Sequence, residues 1–569
     1  GMRLVWDESE FLSALESAKR ESVSAFGDSN VILERYLVNP RHIEVQVMVD
    51  SHGNAVYLHE RDCSLQRRHQ KVIEEAPASD LPHDLRSLMG ETAVKAALAV
   101  SYVNAGTVEF LLDQNDDSSF YFCEMNTRLQ VEHPVTEMIT NQDLVEWQLR
   151  IAAGEELPIK DQSQIPCIGH AFEARIYSED PTKDFFPATG KVWHHRPPAT
   201  PNVGMENDTS TRVDTGIAVG KDISVHYDPM VSKLIVHGDN RDDALKNLVQ
   251  ELKNYQIAGV PSNIPFLIKC AQHPVFRTAG TTNTGFLEEF MDDVRISECK
   301  PDSMGAMEKA VCAFVVSLVT EKKVGSTKDV LYQGERENVK AVGGPWSSGS
   351  WRLGPKYQTL LNIRDHEGGS IKYMHNDDGA SGITIMGEDG KEGMKINGFL
   401  SGENNLSIMV DGVQKKSFTA VYNEDTVAGT ITVNVWPSNA ASSSSTSQFE
   451  EDDGAFSMTF DHPSLHAHRY RDESKTSLFT ASGSGRSYEL RAPMPGKIVR
   501  INFEEGATVN ENDVLIVMEA MKMEHSMTAN MQGVLSNINC EVGDIVGDSD
   551  ALATVTEDMD EEESESESA

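Results

Sequence analysis

The sequence predicts a multidomain α+β protein that ends in a small all-β flattened barrel. Three observations predict it. Residues 1 to about 290 mix β runs with helical stretches. From about 300 the pattern becomes one apolar helix, Met304 to Thr320, followed by short strands with Gly-rich turns. Near the C-terminus a segment repeats at a constant offset of 37 residues.

The elements follow in order from their periodicities. Glu8 to Ala25 is amphipathic at helical spacing. Ile32 to Leu37 and Ile43 to Val49 read as strands, the second alternating cleanly. Glu91 to Val100 is helical. Thr107 to Leu111 and Phe120 to Met125 read as paired strands joined by the polar turn Asn115-Asp116-Asp117, and Leu144 to Ala153 is another helix. The helix 304–320 and the strands after it, to about 437, suggest a helix held in an antiparallel barrel or sheet. Asn439 to Ser447 is a Ser-rich linker or loop, and 455–480 is expected to add a last strand before a flexible Ser/Gly stretch at 481–487.

In the repeat, Gly496-Lys497-Ile498-Val499, Glu505 to Val509 and Asp513-Val514-Leu515 match Gly533-Val534-Leu535, Val542 to Val546 and Asp550-Ala551-Leu552. Each copy shows short β-branched runs broken by Gly and Asp, the pattern of strands and tight turns. Two copies form a flattened barrel with pseudo-twofold symmetry. Glu519-Ala520-Met521-Lys522-Met523-Glu524-His525 then falls on the turn between the halves, with the Lys522 ammonium exposed and open to acylation. With Pro493-Met494-Pro495-Gly496 upstream, this run resembles biotinyl domains, which implies covalent biotin on Lys522. The bland alternative is an exposed lysine on a lipoyl-like or unrelated barrel; lipoyl lysines usually sit in an Asp-Lys-Ala context.

Composition narrows the function. The net charge is -39, which argues against nucleic-acid binding. Part of it lies in the Asp/Glu/Ser tail 557–569, expected to be solvated and disordered. Seven cysteines without a CxxC pair suggest a reducing compartment. No apolar run reaches membrane-spanning length, and no targeting peptide is read at the N-terminus.

The densest chemistry lies between 34 and 132. Glu109 and Glu124 sit on the two paired strands, and Asn126, Arg128, Gln130 and Glu132 follow at alternate positions, which predicts one shared face. Two carboxylates and an amide oxygen suit Mg²⁺. Arg128 is a fork suited to an oxyanion, and Glu132 is placed to act as a base. A carboxylate pair alone would more simply be the solvated face of a hairpin; the unbroken alternation argues against that.

Glu124-Met125-Asn126-Thr127-Arg128-Leu129-Gln130-Val131-Glu132-His133-Pro134 resembles the metal and bicarbonate strand of biotin carboxylase, an ATP-grasp enzyme. Glu60 to Lys71 and Tyr36 to His42 resemble the same family, over about 1–290 and again over 490–556. The resemblance implies ATP beside Glu34, Arg35, Leu37, His42, Gln66 and His69. It implies Mg²⁺ (or Mn²⁺) on Glu109, Glu124 and Asn126, and bicarbonate on Lys71, Arg128, Gln130 and the Val131 backbone. Glu132 would deprotonate bicarbonate for attack on the γ-phosphate, and Arg212 would stabilise the biotin enolate. Arg67 and Arg68 stay unassigned.

Pro345-Trp346-Ser347-Ser348 resembles the connecting domain of acyl-CoA carboxylase α subunits, where a barrel wraps one helix and docks on the carboxyltransferase. Met-Lys-Met-Glu-His is most like the methylcrotonoyl-CoA and geranyl-CoA members; propionyl-CoA and acetyl-CoA carboxylases are the alternatives. The implied setting is a mitochondrial matrix hetero-oligomer in leucine breakdown, with a separate carboxyltransferase β subunit and a biotin protein ligase as partners. The expected domains are 1–36, a remnant of the ATP-grasp lid; 37–297, the carboxylase C-terminal domain; 298–480, the connecting domain with its Ser-rich insert; 481–489, a linker; 490–556, the biotinyl carrier; and 557–569, the tail. Gly1 matches the end of the family's phosphate-binding loop. The expectation is therefore a chain without the family's first domain, poorly active by itself, or else a short form acting as a biotin carrier and scaffold.

Overall fold

A computed structural model describes residues 3–113, 119–198, 210–224, 227–296, 305–324, 358–363, 370–375, 382–386, 392–401, 404–412, 414–425, 430–437, 455–461, 487–492, 496–520, 523–547 and 550–556. Lys522, Pro493 to Pro495, the 345–348 run, the turn 115–117, the Ser-rich stretch and the acidic tail lie outside these residues.

The N-terminal body contains α1 (Glu8–Phe26), β1 (Arg41–Val49), β2 (Ala55–Arg67), β3 (Gln70–Ala76), α2 (His83–Ala99), β4 (Asn104–Leu112), β5 (Phe120–Asn126), α3 (His133–Thr140), α4 (Leu144–Ala152) and β6 (His170–Tyr177). After these come the short β7 (Glu179–Asp180), β8 (Phe186–Pro187), β9 (Gly190–Lys191) and β10 (His194–Arg196), then β11 (Thr211–Thr215), β12 (Asp222–Ile223) and β13 (Met230–Gly238). Eight strands form one antiparallel sheet in the order β11-β13-β6-β3-β2-β1-β4-β5. Helix α2 packs with Ile43, Val45, Val47 and Phe110 on one patch of it. A larger core gathers Phe172, Ala174, Ile176, Leu234 and Val236 against the helices between 241 and 294. Burying such apolar faces on both sides of a sheet is the main stabilising term, about 25 cal/mol per Å² removed from water.

The stretch predicted as a strand at Ile32 to Leu37 has no ladder partner: Ile32 and Leu33 are each 82% exposed. β-branched composition favours extended backbone, but a strand needs a neighbour to bond.

Helix Ala306–Val324 buries Ala310 to Val316 completely among eight antiparallel strands running in sequence order from Gln358–Asn362 to Phe456–Asp461. A bridge between Ile363 and Phe460 joins the first strand region to the last, so the sheet wraps the helix as expected. It meets the body where Trp436 and Val421 pack with Ala258 and Trp193.

The carrier has two four-stranded sheets. One runs Ser487–Arg491, Ala551–Thr556, Gly533–Ser536, Thr508–Val509; the other Met523–Thr528, Val514–Ala520, Gly496–Ile501, Ile545–Val546. Each strand of one has its counterpart in the other 36 to 37 positions away, which is the repeat made physical. The equivalent glycines Gly506 and Gly543 both take positive φ (89° and 105°), a turn conformation only glycine adopts without strain. Ala520 and Met523 are opposed in the hairpin that brackets Lys522. On this hairpin His525 stacks on Phe186 of β8, ring centroids 4.7 Å apart, so the carrier touches the body.

Candidate active site

A row of charged residues crosses four strands. Arg61 on β2 is opposite Glu44 on β1, Glu44 opposite Glu109 on β4, and Glu109 opposite Glu124 on β5. Like charges set directly opposite one another repel, so three acids in a row require cations. Arg61, fully buried, gives Glu44 Oε1 a hydrogen bond of 2.5 Å and reaches Gln46, Thr107, Thr136 and Gln130 with its remaining donors. Lys71 on β3 places Nζ 2.6 Å from Glu44 Oε2, 2.6 Å from Glu132 Oε1 and 3.3 Å from Glu109 Oε1. His42 Nε2 lies 2.7 Å from Glu109 Oε2, and Gln130 Nε2 donates to Glu109 Oε1 at 2.7 Å.

Glu132 is held from its other side. Arg175 on β6 donates from Nη2 to Glu132 Oε2 at 3.0 Å and from Nε to Glu74 Oε1 at 2.6 Å. Lys233 on β13 donates to the Val131 carbonyl at 2.8 Å. Arg212 on β11 forms a fork on Asp214 (2.8 Å twice) and reaches Glu137 Oε2 on α3 at 2.7 Å.

The charges set the protonation states. Burial pushes the Glu44 carboxyl up, but Arg61 and Lys71 outweigh it and hold it at about 2. Burial likewise raises Glu109, and its hydrogen bond with His42, together with the nearby Lys71 charge, brings it down to about 2. Burial lowers Lys71, yet its acidic surroundings, Cys63 and Glu44 foremost, keep the ammonium raised well above its ordinary value. The pocket is thus a fixed array of full charges, preorganised as charge-stabilising sites are.

The structure brings Lys71, Glu109, Gln130, Glu132 and His42 together in one cluster. One expectation is corrected: Asn126 to Glu132 do not alternate along one strand face. β5 ends at Asn126, and Glu132 is the N-cap residue of α3. Pro134 at the helix start fixes the backbone for α3, so the chain turns, and Gln130 and Glu132 reach the cluster from that turn. Arg128 stays outside: it is exposed, and its guanidinium bonds the carbonyl of its neighbour Leu129 at 3.3 Å. Glu34 and Arg35 are exposed and Leu37 half-buried on the irregular stretch before β1. Gln66 is half-buried near the end of β2, and His69 is exposed at the β2–β3 turn with φ 64°. Arg67 and Arg68 brace that turn, Arg67 on Glu179 and over the Phe185 ring, Arg68 on Asp184. Sequence reasoning missed Glu44, Arg61, Arg175 and Lys233. Their signal was a charge within a strand-like run, which usually means a solvated face; Arg61 also lay in the Glu60 to Lys71 run without a role given to it.

Glu109 and Glu124 are cross-strand partners, and the Asn126 amide nitrogen lies 2.8 and 3.2 Å from their Oε1 atoms. Turning the amide over directs Oδ1 to the same place. Two carboxylates and an amide oxygen at one spot fit a small hard cation such as Mg²⁺.

Three family models match the chain: "Carbamoyl-phosphate synthase L chain, ATP binding domain" over 1–160, "Biotin carboxylase C-terminal domain" over 173–289 and "Biotin-requiring enzyme" over 488–555. Together with the charged pocket and the carrier barrel they define a biotin-dependent, ATP-using carboxylase, an enzyme of the ligase class. The mitochondrial methylcrotonoyl-CoA carboxylase subunit alpha of Oryza sativa subsp. japonica is 38% identical over 98% of this chain and 72% of its own length. That of Mus musculus is 39% identical over 95% of this chain and 68% of its own. The mitochondrial propionyl-CoA carboxylase alpha chain of Caenorhabditis elegans is 35% identical over 93% and 67%. A solved biotin carboxylase domain of Hydrogenobacter thermophilus 2-oxoglutarate carboxylase, in complex with MgADP, ADP and bicarbonate, is 41% identical over 52% of this chain and 63% of that one, with a TM-score of 0.49. The chain belongs to the family of methylcrotonoyl-CoA carboxylase α subunits, whose named relatives are mitochondrial.

Proposed function

We propose that the chain uses ATP and bicarbonate to carboxylate biotin carried on Lys522, for transfer to methylcrotonoyl-CoA in leucine degradation. The transfer takes place on a carboxyltransferase β subunit in the mitochondrial matrix, after a biotin protein ligase has attached the biotin. The observation that carries this reading is Lys71, whose Nζ bridges Glu44 and Glu132 at 2.6 Å each. Lys71 and Arg175 grip Glu132 from its two sides and aim it, as a base for a bound oxyacid must be aimed.

Bicarbonate would be held by Lys71, Gln130 and the Val131 N–H, with Arg128 turning from the Leu129 carbonyl to cover it. Glu132 then takes the bicarbonate proton as the oxygen attacks the γ-phosphorus of ATP, and the bond to the β-phosphate oxygen breaks. Mg²⁺ held by Glu109, Glu124 and Asn126 would neutralise the phosphate charge. His42, Gln66 and His69, with Glu34, Arg35 and Leu37, form the nucleotide side. The carboxyphosphate formed breaks its bond between carbon and the phosphate oxygen to give CO₂ and phosphate. Arg212, fixed by Asp214 and Glu137, would present a cation to the carrier's biotin, whose nitrogen would accept that CO₂ as its proton passes to the phosphate. The tether keeps that nitrogen at high effective concentration, on the millimolar scale for short flexible linkers. A methylcrotonoyl-CoA substrate is supported by the relatives' identities and by the Met521-to-His525 run.

The test is ATP cleavage by the folded chain with free biotin, with and without bicarbonate. Bicarbonate-dependent cleavage is expected; avidin capture at Lys522 without any such cleavage would favour a carrier and scaffold instead.

A further inference from the structure

A second row crosses the sheet one layer from Glu132. Glu74 on β3 is opposite Glu173 on β6, and Glu173 is opposite Ile235 on β13. Both acids have no exposed surface. Cross-strand partners hold their Cβ atoms on the order of 5 Å apart, so the two side chains lie side by side on one face, within reach of each other. Arg175 lies two residues along β6 from Glu173, on the same face, and bridges Glu74 Oε1 and Glu132 Oε2. The other charges around the pair are Lys71 from β3 and Lys233 from β13. Lys71 is engaged by Glu44 and Glu132, and Lys233 by the Val131 carbonyl and Asp214. Among the described residues nothing donates to Glu74 Oε2 or to either oxygen of Glu173.

Two ionised carboxyls facing each other in a dry site do not coexist; one keeps a proton and gives it to the other as a hydrogen bond. We propose that Glu173 keeps its proton and donates it to Glu74 Oε2, and that this pair positions charge for Glu132. The proposal rests on the reading of Glu132 as the base. With Glu74 ionised, Arg175 divides its charge between two carboxylates. Glu132 is then oriented without being fully neutralised, and it keeps the basicity that proton abstraction needs. The local electrostatics agree. Burial and then Glu74 raise Glu173 well above the ordinary carboxyl value, while burial lifts Glu74 only to about 6, with Arg175 holding it down.

The experiment uses the whole chain and the variants Glu173→Gln, Glu173→Leu and Glu74→Gln. Infrared spectra at neutral pH are expected to show a protonated-carboxyl carbonyl band that Glu173→Gln removes. No such band, or a band unchanged in the folded Glu173→Gln protein, overturns the proposal. The positioning role is read from the pH profile of bicarbonate-dependent ATP cleavage. Glu74→Gln removes the acid that shares Arg175, and Glu173→Leu removes the donor that keeps Glu74 ionised, so that Glu74 takes up a proton; each leaves the charge of Arg175 to Glu132. Both should shift the acid limb to lower pH by the same amount, about one unit, with no further shift when combined. Glu173→Gln keeps a donor and should leave the limb in place. A uniform loss of rate with the limb unmoved in all variants contradicts positioning. Absence of bicarbonate-dependent turnover in the unsubstituted chain counts against the functional reading, and the infrared band still decides where the proton lies.

Discussion

Lys71 Nζ lies 2.6 Å from Glu132 Oε1, although 61 residues separate them in the chain. The ammonium also meets Glu44 and Glu109, so one lysine bridges three acids that the sheet and α3 bring together, with Arg61, Arg175 and His42 as their other partners. Removing one partner of such a buried network costs about 3–5 kcal/mol because the others are left uncompensated. Lys71→Met should lower the thermal midpoint of the body by several degrees and abolish bicarbonate-dependent ATP cleavage; calorimetry and a phosphate-release assay check both.

Glu132→Gln keeps the shape and the Arg175 contact but removes the base. Bicarbonate-dependent turnover should fall about 10²- to 10⁴-fold, with nucleotide affinity within a factor of two or so, since Glu132 contacts no predicted ATP residue. Isothermal titration with ADP separates the two effects.

Acid should destabilise the body in a defined window. Glu44 and Glu109 are held at about 2 against an ordinary 4.5. A folded value below the unfolded one contributes stability that is full above the unfolded value and is lost as pH falls through the folded one. The melting temperature should therefore drop between about pH 4.5 and 2, and more shallowly in Glu44→Gln, which starts lower at neutral pH.

The Phe186–His525 stack links carrier and body. Phe186→Ala should slow carboxylation of biotin attached at Lys522 several-fold while leaving the rate with free biotin unchanged; comparing the two acceptors in one preparation tests it.

Much of this was legible in the chain. The 37-residue offset gave the carrier's symmetry because a repeat in sequence must repeat in strand order. The Glu109/Glu124 pairing was legible because both runs are rich in strand-forming residues, and it survives a register shift beside Glu109. The path from Asn126 to Glu132 was not, because the same alternation continues through a turn that His133-Pro134 closes into a helix. Arg61 and Arg175 were hidden for another reason. A charge at an alternate strand position reads as solvent-facing, and only the eight-strand order shows that this face is covered and that Arg61 faces Glu44. Ile32 to Leu37 misled because composition alone cannot supply a ladder partner.

The most direct test of the central claim is capture of radiolabelled bicarbonate on the biotinylated chain, in the presence of ATP and Mg²⁺ and followed by avidin pull-down. Label on the unsubstituted chain, absent from both Lys522→Ala and Glu132→Gln, is the predicted result. Equal label on Glu132→Gln, or label that persists on Lys522→Ala, would contradict the assignment of base and carrier.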